Sequence, residues 1–111
     1  MTLRQLADQL GLEVRAGEQS LDKEVAGGIA CDLLSVVMSK AEKGFLWLTV
    51  QGHPNIVAVA LLGGLAGIVV THGFEPERDT IARAEQEGVA ILTTSASSYA
   101  CAGRLHDLGL G

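Results

Sequence analysis

Apolar residues change their spacing along the chain, and the changes mark out the secondary structure. The short apolar run Phe45–Thr49 predicts a strand, and a second apolar run over 66–70, rich in β-branched side chains, predicts another. Between them, residues 54–62 are almost continuously apolar, begin at Pro54 and stop at two glycines, which is typical of a helix. A helix of this length between two short apolar strands predicts a parallel βαβ unit.

The segments on either side of this unit show similar patterns. Thr2 and Gln5 have the spacing of a capping box, and Leu3, Leu6 and Leu10 follow at helical spacing, so the chain is expected to begin with a helix. The remaining predicted elements are strands over 12–14 and 25–31, a helix capped by Asp32 and reaching Lys40, a helix from Glu75-Pro76 to Glu87, a strand over 89–93, and a last helix capped by Ser95, Ser97 or Ser98 and stopped by Gly109. We therefore predict a single α/β domain over residues 1–111, with a mostly parallel sheet and helices on both faces.

Composition and charge narrow the class of protein. Hydrophobic residues form 48% of the chain and charged residues 19%, which excludes a disordered protein. The net charge is −5 and no basic run exists, which argues against nucleic-acid binding. The apolar stretch 56–70 is shorter than the roughly 20 residues of a membrane span. Cys31 and Cys101 lie far apart and no signal peptide is recognisable, so we expect a cytoplasmic protein with free thiols.

Polar loops follow the two strands of the βαβ unit, and both reach the same edge of the sheet because the strands are parallel. Open α/β sheets bind ligands in crevices at this edge. A third polar loop follows the last predicted strand. We therefore predict that a ligand contacts residues of these loops, namely Thr49, Gln51, Gly52, His53, Asn55, Thr71, His72, Gly73 and Thr94.

The loop before Pro54 suggests what kind of ligand this is. Histidine is not a preferred N-cap residue, so His53 leaves the first N–H groups of the helix available for a phosphate or carboxylate, with water or a neighbouring carbonyl as the alternative partner. The three loops contain no arginine, which favours a monophosphate or an adenosine-type ligand over a triphosphate. We expect His53→Ala and Thr71→Ala each to weaken binding.

Sequence motifs for catalysis and metal binding are absent. The chain has no G-x-x-x-x-G-K-[S/T] loop, so no ATP-dependent kinase activity is expected. It has no G-x-S-x-G elbow and no C-x-x-C or H-x-x-x-H spacing. We therefore predict no catalytic residue, no metal site and no cofactor.

Several segments together resemble the DRTGG domain family. They are 31–38, 52–60, 69–73, the Glu75-Pro76 pair and 88–93. The family is named for an Asp-Arg pair and a Thr-Gly-Gly turn. Thr71 and Gly73 match the turn, whereas His72 replaces its first glycine and Gly52-His53 lies near the position of the Asp-Arg pair. The family is similar in fold to the N-terminal domain of HPr kinase/phosphorylase and occurs beside CBS domains in some pyrophosphatases.

The resemblance implies a non-catalytic regulatory domain that senses a ligand, with a nucleotide or another small anion as the expected ligand class. Two alternatives are a dimerisation module without a ligand and a small enzyme that acts through His53 or His72. The resemblance also implies a homodimer. The apolar residues of helix 54–62 lie on all its sides, so its outer face is expected to be buried against another element. We expect a second subunit to bury this face, with the N-terminal helix as the alternative.

Overall fold

Strands and helices alternate along the computed structural model, which describes residues 1–110. A single 3₁₀ turn, Glu18–Ser20, lies between the first two strands of these residues. The elements are α1 (Leu3–Leu10), β1 (Glu13–Ala16), β2 (Gly27–Ala30), α2 (Leu34–Lys40), β3 (Phe45–Thr49), α3 (Asn55–Gly63), β4 (Gly67–Val70), α4 (Arg78–Glu87), β5 (Ile91–Thr93) and α5 (Ser98–Asp107).

The five strands form one sheet in the order β1-β5-β4-β3-β2. β2, β3, β4 and β5 are parallel to one another, and β1 is antiparallel to β5 at the edge. The β3–α3–β4 unit is the parallel βαβ unit that the apolar runs predict. A mostly parallel sheet in a single α/β domain is therefore confirmed.

Side chains of the central strands point alternately to two cores, as strand geometry requires. Leu46 and Leu48 of β3 join a core with α1 and α5, whereas Trp47 joins a second core with α2, α3 and α4. The buried Trp47 ring keeps its polar group satisfied, because its Nε1–H donates to the Cys31 carbonyl at 2.7 Å. Helices therefore cover both faces of the sheet, as expected.

The N-terminal helix confirms the capping box and corrects one alternative. Thr2 accepts a hydrogen bond from the Gln5 N–H at 3.2 Å, and the Gln5 side chain accepts one from the Thr2 N–H at 2.9 Å. Leu3, Leu6 and Leu10 are buried against the face of the sheet opposite α3. α1 therefore does not cover the outer side of α3.

Asp32 does not cap α2. That helix begins at Leu34, and its N-cap residue, Leu33, makes no side-chain cap bond. The Asp32 carboxylate instead accepts from the Thr49 hydroxyl at 2.8 Å and from the Val50 N–H at 2.9 Å. The Asp32 carboxylate is therefore bonded to two donors at the end of β3 and not to the N–H groups of α2.

Two further boundaries shift for tertiary reasons. β1 runs over Glu13–Ala16 rather than 12–14, because it follows the ladder with β5. α4 begins at Arg78, since Pro76 is buried beside Gly52 before the helix starts. Among residues 1–110, no helix has the length and hydropathy needed to cross a bilayer.

The end of β1 depends on Gly17, which allows a direct test of this edge of the sheet. Gly17 has φ +71°, and a Cβ there would overlap the backbone carbonyl of Val89. Gly11 has φ +67° with open space around it. We expect Gly11→Ala to lower the free energy of unfolding by about 1 kcal/mol, the cost of a left-handed residue, and Gly17→Ala to lower it by about 2 kcal/mol more because of the overlap. Urea unfolding measures both, and equal losses would contradict this packing.

Candidate ligand-binding site

Three buried threonines lie at the carboxyl ends of adjacent strands. Thr49 ends β3, Thr71 follows β4 and Thr93 ends β5. The Thr71 hydroxyl is bonded to the Ser98 hydroxyl at 2.7 Å and donates to the Thr49 carbonyl at 3.4 Å. Thr49 and Thr71 have no exposed surface. Contrary to expectation, these two residues are closed to a ligand and instead join the strand ends, so Thr71→Ala is expected to act on stability.

The first N–H groups of α3 are already bonded within the chain. The His53 ring Nδ1 accepts from the Asn55 N–H at 3.1 Å, and the His53 carbonyl accepts from the Ile56 N–H at 3.1 Å. Pro54 has no N–H group. The ring and the carbonyl of His53 therefore bond these two N–H groups, which agrees with the alternative of a neighbouring carbonyl as their partner, and Pro54 is the N-cap residue without a side-chain cap bond.

The loop before α3 lies beneath the start of α4. The Gly52 carbonyl accepts from the Thr80 hydroxyl at 2.6 Å and from the Glu77 N–H at 3.0 Å. A Cβ on Gly52 would lie 3.1 Å from the Pro76 Cα. The Gln51 side chain donates to the Asp32 carbonyl at 3.1 Å. These contacts give Gln51 and Gly52 structural partners within the fold.

The turn after β4 is tied to the loop that leads into α5. His72 has φ +61° and is the one non-glycine residue with a positive φ among residues 1–110. Its Nε2 accepts from the Ser98 N–H at 3.1 Å, and its N–H donates to the Ala96 carbonyl at 2.8 Å. The Gly73 N–H donates to the Thr94 carbonyl at 3.0 Å. The turn is thus held in place by both backbone and ring contacts.

A cavity of about 230 Å³ opens between this turn, the end of β5 and the start of β1, and we name it the Arg15 cavity. It is lined by Gly11, Glu13, Arg15, Gly73, Phe74, Glu75, Thr93, Thr94 and Ser95. Gly73 and Thr94 belong to the predicted ligand-binding residues. The other seven predicted residues do not line it: Thr49, Gln51, Gly52, His53, Asn55, Thr71 and His72.

Arg15 reaches the cavity through an irregularity in β1. Val14 pairs with Leu92 and Ala16 with Ile91, so Arg15 is an extra residue in the ladder, and such a bulge redirects a side chain. The Arg15 Nε donates to the Thr93 hydroxyl at 3.0 Å. Its Nη2 pairs with Glu75 at 2.7 Å and with Glu13 at 3.1 Å. Arg15 therefore lies at the carboxyl edge of the sheet, although the three polar loops at that edge contain no arginine.

The order of the strands explains why the cavity lies beside β5. β2, β3, β4 and β5 follow one another without a reversal, and α2, α3 and α4 share one face of the sheet. Open α/β sheets form their crevice where the strand order reverses, and the parallel strands have no such point. The antiparallel β1 changes the direction of the sheet at β5 and borders the cavity there.

The cysteines and acidic residues add no second site. Within residues 1–110, no three His, Cys, Asp or Glu residues converge as a metal cluster. Both cysteines are free thiols. Burial raises the pKa of the Cys101 thiol, which keeps it protonated and unreactive at neutral pH.

A family model for the DRTGG domain matches residues 5–108, nearly the whole chain. The chain belongs to the DRTGG domain family. In this DRTGG domain, Thr71, His72 and Gly73 form the tied turn that borders the cavity. His72, which the resemblance places at the first glycine of the Thr-Gly-Gly turn, has φ +61°, a backbone shape that favours glycine.

A solved structure supports the same fold. The DRTGG domain here is similar to the crystal structure of the CBS and DRTGG domains of the regulatory region of Clostridium perfringens pyrophosphatase, complexed with its activator, diadenosine tetraphosphate. The TM-score is 0.68 at 18% sequence identity. The match covers 94% of this chain and 45% of that chain. No curated protein sequence matches this DRTGG domain.

His72 allows a test of the tied turn with two substitutions. His72→Ala and His72→Gly both remove the ring that accepts from Ser98, but only glycine relieves the left-handed backbone. We expect the Gly variant to be more stable than the Ala variant by about 1 kcal/mol in urea unfolding. His106 in α5 is the control. At this helical position the Ala variant should be more stable than the Gly variant by about 1 kcal/mol. The same order at both positions would contradict the strained turn.

Proposed function

We propose that this DRTGG domain is a non-catalytic regulatory domain that binds an adenosine-type nucleotide in the Arg15 cavity. The single observation that carries the proposal is the cavity itself, of about 230 Å³, at the carboxyl edge of the sheet. Pockets for whole drug-sized ligands measure about 300–1,000 Å³, so a cavity of this size suits one part of a nucleotide. The related regulatory region, which contains CBS domains as well as a DRTGG domain and was solved with a dinucleotide activator, supports this class of ligand.

The walls of the cavity are preorganised for binding. The Gly73 N–H is bonded to the Thr94 carbonyl, and the Phe74 N–H donates to the Thr71 carbonyl at 3.2 Å. Arg15 is bonded to Thr93 and paired with Glu75. Groups that are already held in place lose less conformational freedom when a ligand binds.

The alternative of a small enzyme receives less support. The His53 ring accepts the Asn55 N–H through Nδ1, and the His72 ring accepts the Ser98 N–H through Nε2. Neither ring lines the Arg15 cavity. A general base needs to reach a reacting proton in a substrate site, and these two rings have structural partners elsewhere.

The proposed site predicts that blocking the cavity abolishes binding of AMP. AMP at about 100 times its Kd should raise the free energy of unfolding by about 2.7 kcal/mol, measured as a thermal shift. Ser95 is exposed at the cavity wall, so Ser95→Trp should fold and remove the shift. Ser39→Trp, on the exposed side of α2, is the control and should keep it. A shift that survives Ser95→Trp would place the nucleotide elsewhere.

A second proposed property is homodimerisation through an apolar surface on α2 and α3. In the helix expected to form the interface, Ile56, Val57 and Val59 are buried in the core of the subunit. Met38 (59%) and Leu62 (78%) are exposed and line one groove between α2 and α3, and Leu33, Val36 and Leu61 are further exposed aliphatic residues of these segments. Exposed apolar surfaces mark protein interaction sites, and a two-fold dimer would cover this one.

The dimer predicts a loss of association when charge is placed on this surface. Sedimentation equilibrium should find a dimer at tens of micromolar for the wild type and a monomer for Met38→Lys/Leu62→Lys, since two buried ammonium groups facing each other are strongly disfavoured. Tyr99→Lys, at an exposed residue of α5, is the control and should remain a dimer. A wild-type monomer, or a double variant that stays dimeric, would contradict the proposal.

A further inference from the structure

We propose that the Arg15 cavity takes the base of the nucleotide, and that the phosphates stay outside it. The inference rests on the proposed function, because it assumes that a nucleotide binds in this cavity. It concerns the part of the nucleotide that the cavity recognises. Two properties of the walls support it, namely their charge and the position of Phe74.

The charged groups at the cavity sum to a negative charge, although an arginine is at their centre. Arg15 is flanked by the carboxylates of Glu13 and Glu75, at 3.1 and 2.7 Å, and no other charged residue lines the cavity. Two carboxylates and one guanidinium leave one net negative charge. A phosphate here would lie close to both carboxylates, which already offset the charge of Arg15, and this repulsion opposes binding.

The carboxylates, rather than the end of α1, supply this negative charge. Gly11, the C-cap of α1, lies in the cavity wall, but Arg104 of α5 donates to the Gln9 carbonyl in the last turn of that helix at 2.8 Å and offsets the negative end of its dipole. The cavity therefore favours a neutral group that presents hydrogen-bond donors, as the exocyclic amine of adenine does. Glu13 and Glu75 both have exposed carboxylates that can accept from such an amine.

Phe74 supplies the surface on which a base can stack. Its side chain is 56% exposed, although the backbone is held by the bond from its N–H to the Thr71 carbonyl. The chain has four aromatic residues; Trp47 is buried in the core and Phe45 packs against it. An exposed ring on a fixed turn beside a polar cavity has the arrangement of a stacking platform, and such platforms are tolerant of the base they hold.

Isothermal titration calorimetry with adenosine, AMP and inorganic phosphate tests which part of the nucleotide binds. We expect adenosine and AMP to have Kd values within about threefold of each other and phosphate to give no heat, because the phosphate makes no contact in the cavity. AMP binding at least about tenfold tighter than adenosine, with the difference lost in Arg15→Gln, would overturn the inference while leaving the proposed function intact. Absence of binding by both adenosine and AMP would overturn the proposed function, and the inference with it.

Substitutions of Phe74 give a second, independent measurement. Phe74→Ala should weaken adenosine and AMP equally, by about fivefold or more, and Phe74→Trp should restore binding because it keeps an aromatic face. Tyr99 is the matched control, since it is 92% exposed and does not line the cavity, so Tyr99→Ala should leave both Kd values unchanged. Unchanged adenosine binding in Phe74→Ala would overturn the stacking role and with it the inference.

Discussion

The parallel sheet has to be covered on both faces, and this constraint determines where other molecules can reach the protein. Parallel strands are joined by crossovers, and those between β2 and β5 place α2, α3 and α4 on one face. α1 and α5 cover the other face. The central strands are therefore buried on both sides, and the strand ends, the edge strands and the outer surfaces of the helices remain accessible. The proposed ligand site lies at the strand ends beside the edge strand β1, and the proposed dimer surface lies on the outer side of helices.

Much of the carboxyl edge of the sheet is closed by its own polar groups. Asp32, Thr49 and Thr71 are bonded across neighbouring strand ends, and Gly52 lies beneath the start of α4. These bonds satisfy groups that would otherwise be buried without a partner, which costs free energy. The Arg15 cavity lies at the other end of this edge, where β1 meets β5 in the antiparallel direction. The bulge in β1 brings a charged side chain to that point.

The surroundings of Arg15 show why a residue type does not define the chemistry of a site. An arginine at the end of a sheet suggests a phosphate ligand, since its guanidinium is a common partner of phosphate. Here its Nη2 is already paired with Glu13 and Glu75. Because those carboxylates offset the charge of the arginine and would repel a phosphate, the neighbours of the arginine decide the preference. Electrostatic complementarity is a property of the whole cavity wall.

The sequence by itself determined the elements and the class of fold, because the signals involved are local. The strand Phe45–Thr49, the capping box at Thr2 and the end of α4 at Glu87 depend on neighbours within a few residues, and all three predictions are confirmed. The family resemblance was also recognisable from short segments, and the match over residues 5–108 confirms it. Short segments of sequence did not show which polar residues lie in contact in the folded chain.

Only the tertiary structure decided the location of the cavity. Gly73 and Thr94 were predicted as ligand contacts from their place after strands, and both line it. Arg15 and Phe74 were missed, since nothing near Arg15 in the sequence indicates that β1 pairs with β5 or that a bulge redirects the side chain. Asp32 was assigned to a helix cap for the same reason, as its partners Thr49 and Val50 are distant in sequence. Local patterns define strands and helices, whereas hydrogen-bond partners across the sheet are set by how those elements pack.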